Sequence, residues 1–353
     1  MNKKEIQKNI VEKDNSKATE EEFFAVLRTI APGTNFRAAL DGSLRAGKGA
    51  LIVVENENTT PLFDGGFRIN TKFTPQRIIE LSKMDGAIIL SHDTKRINQS
   101  NVLLTPSSKI SSNETGTRHK AAERVAKQAG TLTIAISERR HEITIFYKNI
   151  RYVLVAADEL LRKANENTQL LEKQRELFDS HVERLDMYEL SGSANLHQAI
   201  NVIQKGRIIT KISEDLSKSL IELGKESTLL KMRLKEITLG VEKETDLVIK
   251  DYTNLDMKKS RFLLNEMTYD SVLDEDNVAK ILGYENASAP NALKGWRLLS
   301  RTSLSDSEIA SLLRECLTFN EVLKSDADNF KSTLDESKAE QLKLELGKIR
   351  VGM

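Results

Sequence analysis

At Ala157 the spacing of apolar residues changes, and a chain whose apolar period switches cannot close around a single kind of core. Ahead of that point the apolar residues come in short runs bounded by turn residues: 49–54, 86–90, 131–136, 142–147 and 151–155. Runs of this length and composition predict buried β-strands. Between them lie amphipathic stretches at 21–30, 75–83 and 118–129, the last stopped by Gly130, which predict helices. Together they predict an α/β domain, a mixed sheet flanked by helices, over residues 20–157.

Beyond Ala157, residues Leu161, Ala164, Thr168, Leu171, Arg175, Phe178, Val182 and Leu185 recur alternately three and four apart, a helical seam with Arg175 as its one charged member. Ser191-Gly192-Ser193 interrupts it. Leu196, Ile200 and Ile203, then Ile209 to Leu220, predict a second helix ending at Gly224, and Leu230 through Val248 a third. Residues 107–289 contain no proline, as an all-α spine over 158–285 requires. Pro290, in the polar stretch 286–291, marks a linker into a small all-α domain over 286–353. With 353 residues the chain exceeds what one core supports, about 250–300. Residues 1–19 are polar and predict a flexible N-terminus.

Lys and Arg number 53 against 52 Asp and Glu, so no bulk charge favours nucleic acid and any such contact needs a local patch. Cys316 is the lone cysteine, which excludes an internal disulfide and fits a reducing compartment. No apolar run reaches the ~18 residues of a membrane span, and the first residues are charged, so no membrane partner and a cytoplasmic location are expected.

Gly42 to Lys48 has the G-x-x-x-x-G-K spacing of a phosphate-binding loop. Such a loop follows a strand, opens a helix and carries Ser or Thr after the Lys. Here Gly49 stands in that place and a strand follows, so the segment is expected to be a turn leading into residues 51–54. H-E-x-x-H, paired cysteines and G-x-S-x-G are all lacking, which leaves zinc-hydrolase and serine-esterase chemistry without support. His92, His141, His181 and His197 fall on different elements and are expected at the surface or in packing. Two segments remain. Asp85-Gly86-Ala87 enters a strand, where Asp can hold a divalent metal and Gly admits close backbone approach. Glu114-Thr115-Gly116-Thr117-Arg118-His119-Lys120 lies where the helix 118–129 begins, and a capping Thr117, free N–H groups and the two cations Arg118 and Lys120 predict an anion or phosphate site.

Those two segments resemble the D-G-A and R-H-R motifs of the diadenylate cyclase family. Similar too are Phe63-Asp64-Gly65-Gly66-Phe67, Phe73 to Arg77, Ala121 to Lys127 and Ala135 to Arg140. A cyclase domain, a helical spine and a small C-terminal domain is the layout of the branch of that family that scans DNA integrity; residues 247–252 and 282–284 are similar to its spine. The resemblance implies condensation of two ATP into cyclic di-AMP and two pyrophosphates, with Mg²⁺ or Mn²⁺, where two cyclase domains of a homo-octamer face each other. It implies catalytic roles for Asp85, also the metal ligand, and for His119. ATP contacts are implied for Gly86, Ala87 and Leu104, for Gly116, Thr117, Arg118, His119 and Lys120, and for Ser137 and Arg139. The family's third basic residue is Arg; Lys120 keeps the charge without the bidentate fork.

The branch's C-terminal domain is a helix-hairpin-helix whose glycine turn grips DNA phosphate. Here the turn is Thr333-Leu334-Asp335, with both glycines replaced and acid beside the phosphate position. Residues 285–353 hold 10 Lys and Arg against 11 Asp and Glu, net −1. Lys294, Arg297 and Arg301 are the local basic strip that branched DNA could use, a solvated helix face being the other reading. DNA binding is therefore expected to be weak or lost. A nucleotide-sensing or DNA-binding scaffold with a silenced cyclase site is the alternative function; the intact Asp85 and Arg118 segments favour the enzyme.

Overall fold

Strand β1 (Ala50–Val54) is buried along its whole length because its apolar side chains serve two cores in alternation. Ala50, Ile52 and Val54 face one core, while Leu51 and Val53 face the other. The structure, a computed structural model, describes residues 18–290, 293–316, 318–325, 330 and 334–351. Residues 1–17 of the expected N-terminal tail and Thr333 of the expected hairpin turn lie outside them.

Eight strands form one mixed sheet in the order β2 (Phe63–Asp64), β5 (Arg96–Leu104), β4 (Ala87–Leu90), β1, β6 (Leu132–Ser137), β7 (Glu142–Tyr147) and β8 (Ile150–Val153), with β3 (Phe67–Lys72) also on β5. Only β1 and β4 run parallel; the other pairs are antiparallel. Helices α1 (Glu20–Thr29), α2 (Asn35–Arg45) and α3 (Pro75–Leu81) contribute to the core around Ile52, and α4 (Thr117–Ala129) to the core around Val53. Each of the first three starts at a threonine cap. The fold is the expected α/β arrangement of a mixed sheet flanked by helices. Helix α2 was not expected, since residues 42–45 belong to it and not to a turn; a Cβ on Gly42 would stand 2.4 Å from Ile79 Cδ1, so Gly42 lets α2 lie close to α3.

The chain divides into two compact units, 1–164 with 218–229 and 165–217 with 230–353. In the first, the segment 218–229 is tied to the sheet by Tyr152, whose hydroxyl donates to Glu222 Oε2 at 2.6 Å. Burial raises the Glu222 carboxyl above its ordinary pKa, and the Tyr152 hydrogen bond acts in the opposite direction. Tyr152→Phe leaves that buried carboxylate only its hydrogen bond to the Val155 backbone, and thermal unfolding of the full chain is expected to show a loss of about 1–2 kcal/mol from the first unit; an unchanged melt would mean that the bond contributes nothing.

In the second unit the helical seam appears as expected on α5 (Ala157–Ser191), with Thr168, Leu171, Phe178 and Leu185 buried. Helix α6 (Leu196–Glu222) follows. The single helix expected from Leu230 through Val248 is instead two, α7 (Thr228–Thr238) and α8 (Val241–Tyr252), broken where Gly240 takes a left-handed φ of 78°. Arg175 explains how the break is tolerated: its Nη1 donates to the carbonyls of Ile237 and Leu239 at 2.7 and 2.8 Å, supplying partners that the ended helix leaves open. Shorter helices follow: α9 (Met257–Glu266), α10 (Tyr269–Leu273), α11 (Glu275–Leu282), α12 (Trp296–Leu299), α13 (Asp306–Glu315), α14 (Phe319–Lys324) and α15 (Glu336–Val351).

The expected DNA-facing strip is not one. Arg297 is fully buried, paired with Asp186, Glu189 and Glu244, and Arg301 shares Asp186 and Glu244. Lys294 Nζ donates to the carbonyls of Lys250 and Thr253. A periodic strip of cations looks like a solvated face in sequence; here acidic residues on α5 and α8 draw it inward.

Candidate active site

Helix α4 opens at Gly116, which caps it in an extended conformation (φ −81°, ψ 140°) and supplies no side-chain hydrogen bond. Thr117 is thus the first helical residue and not the expected cap, and the first turn carries no acidic side chain. The N–H groups of that turn and the positive end of the helix dipole are left to an anion from outside. The N-terminal ends of β1 and β4 and the C-terminal ends of β5 and β6 meet there, and between them lies a cavity of about 510 Å³. Its wall includes Gly86, Leu104, Gly116, Thr117, Arg118, His119, Ser137 and Arg139, all singled out from sequence. Leu51, Val102, Leu103, Ala121 and Glu138 line it as well and were not anticipated.

Asp85 does not line the cavity; it directly precedes Gly86, which does, and is exposed, without a hydrogen bond or ion pair to any described residue. Gly86 has a φ of 85°, and a Cβ there would stand 2.7 Å from the carbonyl carbon of Asn101. Its freedom is already required to bring the start of β4 against β5, whatever a nucleotide then asks of it. Ala87 and Lys120 do not line the cavity. The Ala87 side chain is buried in the core with Val102 and Val125, which removes it from the set of side-chain contacts expected for ATP.

His119 is 5% exposed, edge-on to Phe146, and its Nε2 is buried with no partner among the described residues. Burial, reinforced by the positive charge of Arg140, holds its pKa below the ordinary imidazole value, so the ring is neutral at pH 7. Arg118 makes no hydrogen bond or ion pair to any described residue, and its guanidinium donors are free for a ligand.

Two buried carboxylates, whose pairing the sequence did not reveal, fix the approach to this turn. Glu114 receives Arg151 Nε at 2.5 Å and Arg140 Nη2 at 3.5 Å. Glu123 on α4 receives Ser112 Oγ at 2.5 Å, the Asn113 N–H at 3.2 Å and Lys127 Nζ at 2.7 Å. Both pin the loop 105–116 to rigid elements. Their partners include residues up to 37 positions away, and no local pattern carries such a pairing. Among the described residues no three His, Cys, Asp or Glu side chains gather as a metal cluster.

A neutral buried imidazole, an unpaired guanidinium and a helix N-terminus converging on one cavity suit a polyphosphate, and an unpaired aspartate one residue before the wall's Gly86 suits the cation a polyphosphate brings. Set on a mixed sheet with Asp85-Gly86 and Gly116-Thr117-Arg118-His119, they define a nucleotidyltransferase of the diadenylate cyclase class. Residues 37–150 match the family model described as DisA bacterial checkpoint controller nucleotide-binding, and residues 154–290 the DisA bacterial checkpoint controller linker region. The chain is 40% identical over 284 residues to the DNA integrity scanning protein DisA of Symbiobacterium thermophilum, covering 79% of this chain and 81% of that one. It is 40% identical to DisA of Bacillus subtilis over 285 residues, 78% and 79% of the two chains. With DisA of Clostridium botulinum the identity is 33% over 333 residues, 92% and 94% of the two. The chain belongs to the DisA family and is a diadenylate cyclase. Among the described residues no helix is long and apolar enough to cross a membrane.

Proposed function

We propose that each chain binds one ATP in the cavity beside α4 and that two chains, cavities facing, join their nucleotides into cyclic di-AMP. The single observation that carries this is the convergence of unpartnered Arg118 and His119 Nε2 on one cavity, whose wall includes Gly86, the residue after the exposed and unpartnered Asp85. In each half-reaction the 3′-hydroxyl of one ATP loses its proton and its oxygen bonds to the α-phosphorus of the other. The bond from that phosphorus to the bridging oxygen breaks, and pyrophosphate leaves with the electron pair. Two such steps close the ring. One cavity of this size holds one nucleotide, so nucleophile and electrophile come from different chains, which is the reason to expect an assembly, a homo-octamer by resemblance to the family.

Arg118 and the N–H groups of Thr117 onward hold phosphate oxygens and take up the charge that grows on the leaving pyrophosphate. His119, neutral, serves as a hydrogen-bond donor through Nε2 and brings no repelling or screening charge. Asp85 accepts from the attacking hydroxyl and holds it in line. Gly86 and Leu104 give backbone and apolar surface to the nucleoside, and Ser137 and Arg139 take outlying phosphate oxygens. Lys120, off the cavity wall, adds positive potential only. One carboxylate plus substrate phosphates is an ordinary donor set for Mg²⁺ or Mn²⁺, and the free Asp85 fits it. Such an ion supplies charge neutralisation at the α-phosphate. The test is purified full-length chain with ATP and either metal, the product read by mass: cyclic di-AMP supports the assignment, and ATP binding without product overturns it.

The domains we propose are the cyclase over 20–157, the spine over 158–285 and a helix-hairpin-helix-like domain over 286–353, with the whole protein in the cytoplasm. The last domain is proposed to have lost its grip on DNA, since Arg297 is internal and Asp335 is exposed where a phosphate would lie. Titration of a labelled four-way junction at about 0.1 M salt is expected to give a Kd weaker than about 10 µM. A tighter, salt-dependent affinity would contradict the loss.

A further inference from the structure

Gly49, the residue that spoils the phosphate-binding-loop pattern, is buried at the entry to β1. Its backbone does not lie in the left-handed region, so nothing in its conformation demands glycine. What demands it is space: a Cβ there would stand 2.0 Å from Arg118 Nη1, 3.0 Å from Arg118 Cζ and 3.2 Å from the carbonyl oxygen of Ile136. The Arg118 guanidinium therefore rests on the bare Cα of Gly49. No hydrogen bond or ion pair to a described residue holds it there.

The geometry points to Gly49 as a positioning residue for ATP, a notch that locates the Arg118 guanidinium by shape while leaving its N–H donors free for phosphate. A guanidinium held by a carboxylate would be well placed but electrostatically spent, and one held by nothing would sweep through many rotamers, so that ordering it would weaken binding. Resting on a glycine avoids both. The atom nearest a Cβ is the far end of a long side chain, while the Ile136 carbonyl has to give by only a few tenths of an ångström, so an added methyl chiefly displaces the guanidinium. This inference rests on the proposal that Arg118 contacts the nucleotide.

The experiment is a double-mutant cycle on the full-length chain with Gly49→Ala, Arg118→Ala and the pair, each titrated with ATP in EDTA so that affinity is read without turnover, and each melted. Gly49→Ala is expected to weaken ATP binding roughly tenfold, Arg118→Ala at least as much, and the pair little more than Arg118→Ala alone, because the methyl then has no guanidinium to displace. If Gly49→Ala lowers the melting temperature, the same cycle applies: the pair should melt above Gly49→Ala, the clash having been removed. An unchanged ATP affinity in Gly49→Ala beside a weakened Arg118→Ala overturns the inference, as does a Gly49→Ala effect of full size in the Arg118→Ala background. An unchanged affinity in Arg118→Ala would instead remove the phosphate role of Arg118 on which the inference stands.

Discussion

Replacing Asp85 by Asn is expected to abolish cyclic di-AMP formation, with kcat falling by roughly 10³-fold or more, while ATP binding and the melting temperature stay near wild type. The side chain is exposed and touches no other described residue through a polar contact, so the fold loses nothing that an isosteric amide cannot supply. On the proposed mechanism the chemistry loses a formal negative charge beside the hydroxyl that gives up its proton and the divalent ion that Asp85 would hold. The ATP contacts proposed above fall instead on Arg118 and the first turn of α4, which line the cavity. Mass detection of product together with ATP affinity in EDTA separates the two. Wild-type turnover in Asp85→Asn would sink the catalytic role, and a loss of affinity equal to the loss of rate would make Asp85 a binding residue only.

How far the sequence revealed this site follows from which interactions are local. The apolar runs at 50–54, 87–90 and 132–136 are buried on both faces and announce themselves without any partner. The start of α4 is equally local, since Gly116 and Gly130 punctuate it at either end. Strand β5 could not be found that way. Its nine residues include Asn98, Gln99, Ser100 and Asn101, and Asn101 takes a φ of 55° where the register with β4 slips, so the two-residue period is broken in mid-strand. Yet β5 supplies Val102, Leu103 and Leu104 to the cavity. The capping role assigned to Thr117 failed for a related reason: a threonine can cap or begin a helix, and the choice depends on the loop 105–116, which Glu114 ties to Arg151 far along the chain and Glu123 ties to α4.

Arg297→Ala is expected to cost the second unit about 3–5 kcal/mol, measured by urea unfolding of the full chain, because it strands carboxylates in a place that water does not reach. Arg297 is 0% exposed and donates through Nη2 to Glu189 at 2.5 Å and through Nη1 to Glu244 at 2.9 Å, with Asp186 also in contact. Its own N–H, with those of Gly295 and Trp296, closes on the Asp251 carboxylate at 2.6 to 3.0 Å. Asp186, Glu189, Glu244 and Asp251 thus gather around Arg297 and Arg301, and the substitution leaves four acids to one guanidinium. Burial pushes Glu189 up to about 7 and Asp251 up to about 6, against the pull of Arg297. Both stand above their ordinary values of 4.5 and 3.8, so folding takes up protons. Stability from these groups is accordingly greatest below the ordinary values and falls as the pH rises through about 7. Without Arg297 both carboxyls rise further and the decline extends to higher pH, so the cost should be larger at pH ~8 than at pH ~5.5. An equal cost at both would mean that the lost packing of the arginine stem, and not its charge, is what the unit misses.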